Sequence, residues 1–392
     1  MTTAVSSRAR ARGDAVFVLA FATLPMTLLT APGLSLPLSE LVVGFAVLVA
    51  LLRRPGRATR PPAWLSIGLW SVFALLGLST ILNGLETFEA AKRMAHVLLY
   101  VLLALTLARG SIPRRAAASG LGLGLVLSAG VGMMAALTDL VPIHYAGHLT
   151  GLSWRLTGLF GDPNVAGYLL VALGSIAVAG RRPGWPRTTL ALFLAGAVVL
   201  TLSRTSLLAL GFGAIWILIG RRLRPALGLG LIAVLGVAVA FLPTAIQSVG
   251  PFQNRVGSDE LRARIVASEL QAISDERLLG HGAGTATVVI DNGLVFFFHD
   301  SYLALVAEGG FATLLVLSIV LLSVFWRLVS LPPRWRDPWL EVSLIAVAVC
   351  AINLGEVLLE LTAAVAIGLA VGHVLEVSEA SGAVDQKASA HR

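Results

Sequence analysis

Charge is scarce in this 392-residue chain: 13% of its residues are Asp, Glu, Lys or Arg, against 57% that are hydrophobic. Mean hydropathy is +0.86. That excludes a soluble domain of this size, which needs far more polar surface. Cysteine is almost absent. The single Cys350 falls inside an apolar run, so no disulfide framework and no cysteine-based metal site is available. Internal repeats are not apparent, and with them the inverted-repeat signature of many transporters. No HExxH motif occurs. His144 and His148 stand one helical turn apart, but no carboxylate at matching spacing accompanies them, so no metal is expected.

What the chain does have is a series of long apolar runs. They predict an all-α, polytopic membrane bundle of about twelve transmembrane helices, near 15–31, 37–52, 63–82, 94–108, 116–138, 164–180, 188–202, 205–220, 225–243, 301–326, 339–353 and 356–373. Lipid admits only helices or closed barrels, and these runs are too long and uniform for barrel strands. Threaded this way, 21 of the 29 basic residues fall on one side, among them Arg53, Arg54, Arg57, Arg60, Arg109, Arg114, Arg115, Arg181, Arg182, Arg187, Arg221, Arg222, Arg224, Arg327, Arg334 and Arg336. The positive-inside rule makes that side cytoplasmic, places both termini there, and accounts for the net charge of +8 without nucleic acid. Arg8, Arg10 and Arg12 precede the first apolar run as in a signal peptide. No small-residue cleavage site follows, so the run is read as an uncleaved helix. One integral domain is expected over 1–377, with extracytoplasmic loops at about 139–163 and 244–300. A polar, disordered cytoplasmic tail is expected over 378–392.

The polar residues of the outer side are therefore the candidates for chemistry. Arg204, in LSRTS, sits between two apolar spans with almost no loop, where an arginine is costly unless it serves a purpose or snorkels to headgroups. Residues 258–280 read as an amphipathic helix capped by Ser258 and stopped by Gly280, with an apolar stripe of Leu261, Ile265, Leu270 and Ile273. Arg262 and Arg264 within it point in different directions, and Arg255 and Arg277 flank it. The GHGAG run at 280–284 either offers backbone N–H groups to phosphate or is simply a turn. His299 precedes an apolar run, where a histidine is a general base, a hydrogen-bond donor or an interfacial residue. Asp162-Pro163-Asn164 marks a helix start with Asp162 or Asn164 at its cap. Glu308, Glu356 and Glu360, in or beside apolar spans, are read as partners of the arginines or as a proton path.

Taken in order, RLTGLFGDPNVAGYLL (155–170), LSRTSLLAL (202–210), RARIVASELQAISDERLLGHGAG (262–284) and HDSYLALVAEGGFAT (299–313) resemble the O-antigen ligase and polymerase family of bacterial membrane glycosyltransferases. In the last motif Gly310 follows His299 by eleven positions and Thr313 by fourteen. The chain departs from the family pattern at Asp300 (usually an amide or serine), Val266 (usually tryptophan), Arg277 (commonly proline) and His281.

The resemblance implies an enzyme of the bacterial inner membrane that transfers a glycan from a polyprenyl-diphosphate carrier to an acceptor hydroxyl on the extracytoplasmic face, with inversion. The acceptor would be a lipid-linked sugar, a glycan or a protein. No cofactor, no metal and no nucleotide sugar would be required. Arg204 and Arg262 would hold the diphosphate with Arg155 and Arg264 as helpers, because a guanidinium binds phosphate oxygens in pairs and keeps its proton. His299 would orient or deprotonate the acceptor. Asn164 and Asp300, in the same motifs, would belong to the substrate site. A polymerase of the same family, a transporter of lipid-linked oligosaccharide or an anion, and a non-catalytic assembly partner are the alternatives.

Overall fold

The computed structural model describes residues 14–31, 36–53, 60–85, 87–138, 155–246, 256–274, 278–290 and 293–390. The candidate positions Arg8, Arg10, Arg12, Arg54, Arg57, His144, His148, Arg255 and Arg277, and most of the 139–163 loop, lie outside the described residues.

The described residues are helical apart from two small antiparallel strand pairs. Helix α1 (Asp14–Thr23) is followed by strands β1 (Thr30–Ala31) and β2 (Leu36–Pro37). Then come α2 (Leu38–Leu52), α3 (Ala63–Leu82), α4 (Phe88–Ala108), α5 (Arg114–Thr138), α6 (Pro163–Ala179), α7 (Trp185–Thr201), α8 (Arg204–Ile219) and α9 (Pro225–Ile246). Helix α10 (Val256–Ala272) and the hairpin β3 (Thr287–Ile290) and β4 (Leu294–Phe297) precede α11 (Ser301–Val329), α12 (Pro338–Cys350) and α13 (Leu361–Ala390). Among the described residues, α3, α4, α5, α11 and α13 are long and apolar enough to cross a membrane.

The core is a bundle about α6. Nearly every residue of α6 and α12 is buried, and α6 packs on α5, α7, α8 and α12. Helix α13 lies along α4, and α11 along α3. The outward faces keep large apolar side chains exposed, such as Leu48, Ile67, Leu192, Leu218, Leu315 and Leu322. A water-soluble bundle would carry polar residues there; a lipid-facing surface carries these.

Successive helices alternate in direction, so the bundle has two chemically different ends. One end gathers the arginine clusters. Arg114 donates to Asp337 at 2.8 Å, Arg187 approaches the same carboxylate at 3.8 Å, and Asp337 also caps α12. Deeper, Arg336 grips Glu341 through two hydrogen bonds of 2.9 and 2.8 Å, and Trp216 Nε1 donates to the same carboxylate at 2.6 Å. Arg327 stacks on Trp64, 5.0 Å from the ring centre. At the other end lie the starts of α4, α6, α8 and α11 and the segment 256–300.

Two expectations are corrected. Glu356 and Glu360 sit in the connection between α12 and α13, not within the last helix, which starts at Leu361. The amphipathic helix ends at Ala272 rather than near Gly280, and Ser258 lies inside it rather than at its cap. Helix α13 is described as far as Ala390.

The Arg336–Glu341 pair is almost wholly buried, at 5% and 0% exposure. Glu341→Ala would strand the guanidinium without its carboxylate, a change that costs about 3–5 kcal/mol. The thermal midpoint in detergent should fall clearly, with a smaller fall for Glu341→Gln; an unshifted midpoint for the alanine variant would remove this pair from the stabilising core.

Candidate functional site

Helix α11 carries the first structural device of the site. Gly310 has φ 73° and ψ 177°, which breaks the helix one-third of the way along. A side chain there would collide with the backbone of Leu278 and Leu279, so the left-handed glycine lets the outer segment press directly against the helix. The break frees carbonyls that the following turn occupies. His281 N–H donates to the Ala307 carbonyl at 2.7 Å, and Gly282 N–H to that of Glu308 at 2.8 Å. Ala283 N–H donates to Thr80 Oγ1 and Gly284 N–H to Glu308 Oε1, both at 2.9 Å. The four N–H groups of residues 281–284 are therefore all used within the protein, which removes the phosphate-cradle reading of GHGAG and leaves the turn. Glu308 is 3% exposed, and its other oxygen accepts from Arg93 Nε at 3.1 Å. Arg93 also approaches Glu356 at 3.8 Å. The carboxylates near α4 are thus engaged in pairing.

From this anchor the chain runs through the β3–β4 hairpin, paired Val289 to Val295, and arrives at His299. The hairpin buries Val288 and Ile290 against Ile265, Phe298 and Ala304, and exposes Val289, Val295 and Phe297. It was not read from the sequence, although its signal is there: a β-branched and aromatic run interrupted by Asp291-Asn292-Gly293. Asp300 Oδ1 then caps α11, accepting from Tyr302 N–H at 2.8 Å and Leu303 N–H at 3.0 Å. Asp300 thus has a structural task. The α12–α13 connection wraps the same strap, with Ser301 N–H donating to the Ala351 carbonyl and Leu358 N–H to Ser301 Oγ.

His299 itself is half-buried. Its Nδ1 lies 3.2 Å from the Phe297 carbonyl oxygen. A carbonyl can only accept, so Nδ1 carries the hydrogen and Nε2 keeps a lone pair. Burial lowers the ring's pKa, and the positive charge of Arg262 lowers it further. The Phe297 carbonyl and Asp162 act in the opposite sense. The net direction is down, which favours the neutral ring with Nε2 as its acceptor nitrogen.

Those influences locate the neighbours. Arg262 on α10 and Asp162 at the start of α6 both stand within electrostatic range of the His299 ring. Asp162 Oδ1 caps α6, accepting from Asn164 N–H at 2.7 Å and Val165 N–H at 3.1 Å. Asn164 Oδ1 accepts from Arg155 Nη2 at 3.1 Å, and Arg155 Nε donates to the Thr201 carbonyl at 2.9 Å. Thr201 ends α7, and α8 begins with Arg204 after the two residues Leu202 and Ser203, Leu202 being left-handed at φ 50°. The near-absent loop expected around Arg204 is what the chain shows. Arg155 and Arg204 are buried, at 6% and 8% exposure. Arg262 is half-buried, whereas Arg264, two residues on and so on the opposite side of α10, is exposed. The structure thus gathers His299, Arg262, Asp162, Asn164, Arg155 and the Arg204 corner at one end, and leaves Arg264 outside.

These features define an integral-membrane helical protein whose polar chemistry is confined to one end of its bundle. Residues 189–318 match the family model described as O-antigen ligase, which supports the resemblance of the motifs in this part of the chain to that family. The matched segment contains the Arg204 corner, α10, the glycine turn and the His299 motif; Arg155 and Asn164 precede it. The match points at a coarse level to a membrane protein with ligase- or polymerase-type glycan chemistry. No curated protein matches the chain.

The Gly310 break makes a direct test of the anchor. Gly310→Ala should displace residues 278–284 from α11 and speed proteolysis in the 278–300 segment, read by limited digestion and mass spectrometry. An unchanged digestion pattern would mean that the glycine turn does not depend on the break.

Proposed function

We propose that the protein is a metal-independent glycan ligase. It transfers a glycan from a polyprenyl diphosphate to an acceptor hydroxyl, with inversion, at the extracytoplasmic face of the bacterial inner membrane. The observation that carries this reading is the geometry of His299: a half-buried ring whose Nδ1 lies 3.2 Å from the Phe297 carbonyl oxygen, which leaves Nε2 as the acceptor nitrogen, within electrostatic range of Arg262.

The steps follow from those groups. Nε2 takes the proton of the acceptor hydroxyl, and the oxygen attacks the anomeric carbon. The bond from that carbon to the diphosphate oxygen breaks, and its electron pair leaves with the polyprenyl diphosphate. Negative charge grows on the leaving group, so fixed cations lower the barrier more than they tighten the ground state. Arg262 and Arg204 take that role. Arg262 serves twice, since its charge adds to burial in disfavouring the protonated His299 ring. Arg155 and Asn164 brace the α6–α7–α8 corner from which Arg204 projects. Asp300 serves through the cap that orients the start of α11. Arg264, exposed on the other side of α10, is left to contact lipid headgroups or the acceptor.

Placement in the membrane is part of the proposal. All twelve apolar helices cross, with both termini and the Arg114–Asp337–Arg187 end in the cytoplasm. The alternating helix directions and the concentration of arginine at one end support it. Reporter fusions after Arg115, Arg187 and Arg224 should score cytoplasmic and one at Asn83 should score outside; a reversed result at any of the four would overturn the orientation.

The chemistry separates by variant. Arg204→Lys keeps the charge but loses the paired donors, and donor use should weaken by about 2–4 kcal/mol in apparent transition-state binding. His299→Ala should leave donor binding intact and slow transfer by roughly 100- to 10,000-fold. Because the His299 pKa is lowered, the parent rate should persist below the usual histidine range before falling with acid, and His299→Gln should abolish that limb. The measurement is release of polyprenyl diphosphate from a reconstituted donor, with donor binding and folding followed separately. Parent-like transfer by both His299→Ala and Arg204→Lys would move a transport role ahead.

A further inference from the structure

Helix α10 holds an anomaly in its buried stripe. Leu261, Ile265 and Ile273 pack into the small core beneath the hairpin, Ile265 at 1% exposure. The position four residues after Ile265 and four before Ile273 is Glu269, which is 0% exposed. Helical geometry reserves that place for an apolar side chain, and Leu270 beside it is exposed instead, at 53%. A carboxylate there is costly unless it is bonded. Its bond is specific: Glu269 Oε1 accepts from the backbone N–H of His299. Its second oxygen, Oε2, is buried without a hydrogen-bond partner among the described residues. Arg262, seven residues earlier and hence on the same face of α10, is the residue whose charge acts on the His299 ring.

We propose that Glu269 is a positioning residue for the transfer reaction: it pins the His299 backbone to α10 and so holds the imidazole and the Arg262 guanidinium in one fixed relation. The inference rests on the reading of His299 as the proton acceptor and extends it. Two residues of one helix face then divide the work, one holding the histidine main chain and the other setting the charge beside its ring. Burial pushes the Glu269 pKa upward, and the like charge of Asp300 pushes the same way. The backbone contact persists in either protonation state, because a carboxyl carbonyl oxygen still accepts.

The test uses the full-length protein in liposomes with a polyprenyl-diphosphate glycan donor and compares Glu269→Gln, Glu269→Leu and His299→Ala. Glutamine keeps an acceptor oxygen and should transfer within about 3-fold of the parent, since positioning is preserved. Leucine suits the stripe and should fold with an unchanged thermal midpoint, yet turnover should drop roughly 10- to 100-fold with the donor KM little changed. A second readout needs no turnover: the rate of His299 modification by diethyl pyrocarbonate, followed by mass spectrometry, should change in the leucine variant and return to the parent value in the glutamine variant. If leucine fails to fold, Glu269→Asn, which withdraws the acceptor by one methylene, should reproduce the loss. Parent turnover and parent modification rate in the acceptor-lacking variant would overturn the proposal, as would equal losses in the glutamine and leucine variants. Parent-like transfer by His299→Ala would instead overturn the reading on which it rests.

Discussion

The break in α11 at Gly310 is the constraint on which the site end depends. A continuous helix would spend its carbonyls internally and leave no edge for the outer segment to bond. With the break, Ala307 and Glu308 offer their carbonyl oxygens, and Ser79 Oγ bridges to the carbonyls of both Gly280 and Glu308. The Glu308 carboxylate adds Gly284 N–H and the Arg93 guanidinium. Four segments distant in sequence, α3, α4, the glycine turn and α11, are thereby tied at one point. In a low-dielectric bundle each bond counts, because a polar group that loses its partner finds no water to replace it. The chain after this anchor is also fixed where it rejoins α11, through the Asp300 cap and the close approach of Gly355 to the Phe298–His299 backbone. His299 sits on a connection, yet the connection is held at both ends, as the role proposed for this residue requires.

Much of the bundle was legible because lipid simplifies the rules. Apolar runs must be helices, and basic clusters sort the ends, so the helix order and the two-ended charge distribution follow from hydropathy alone. Local irregularity was less legible. The 351–360 segment is apolar enough to pass for helix, and only the packing of Gly355 against the strap shows why it is not. The hairpin hid among apolar runs because its strands, four residues each, are apolar on both faces.

The site shows the same division. His299, Arg204 and Arg262 were conspicuous as polar residues on the side where they are scarce. Which of Arg262 and Arg264 turns inward depends on the phase of α10, and the apolar stripe was misread by taking Leu270 in place of Glu269. A carboxylate at a core position is invisible to a pattern that looks for apolar residues. Asp162, Asn164 and Asp300 were visible as motif members, but their hydrogen bonds show them capping helices and bracing an arginine.

The distribution of satisfied and unsatisfied atoms argues where chemistry resides. Around the site, Asp162 and Asp300 cap helices, Glu308 binds Arg93 and a backbone N–H, and Arg155 binds Asn164 and the Thr201 carbonyl. Groups so engaged are poor proton carriers, since moving a proton would break bonds that burial makes expensive. His299 differs. One ring nitrogen is committed to a carbonyl, and that commitment fixes the tautomer of the other. Half-burial and the Arg262 charge both disfavour the protonated ring, so the same surroundings that hold the imidazole also keep its lone pair available. A purely structural histidine would gain nothing from a cation at its side, because the cation opposes the only charged state the ring can adopt. Under the proposed function the guanidinium has a use there: negative charge would arrive from outside on a diphosphate, whose departure the arginine would favour while the histidine stayed a base.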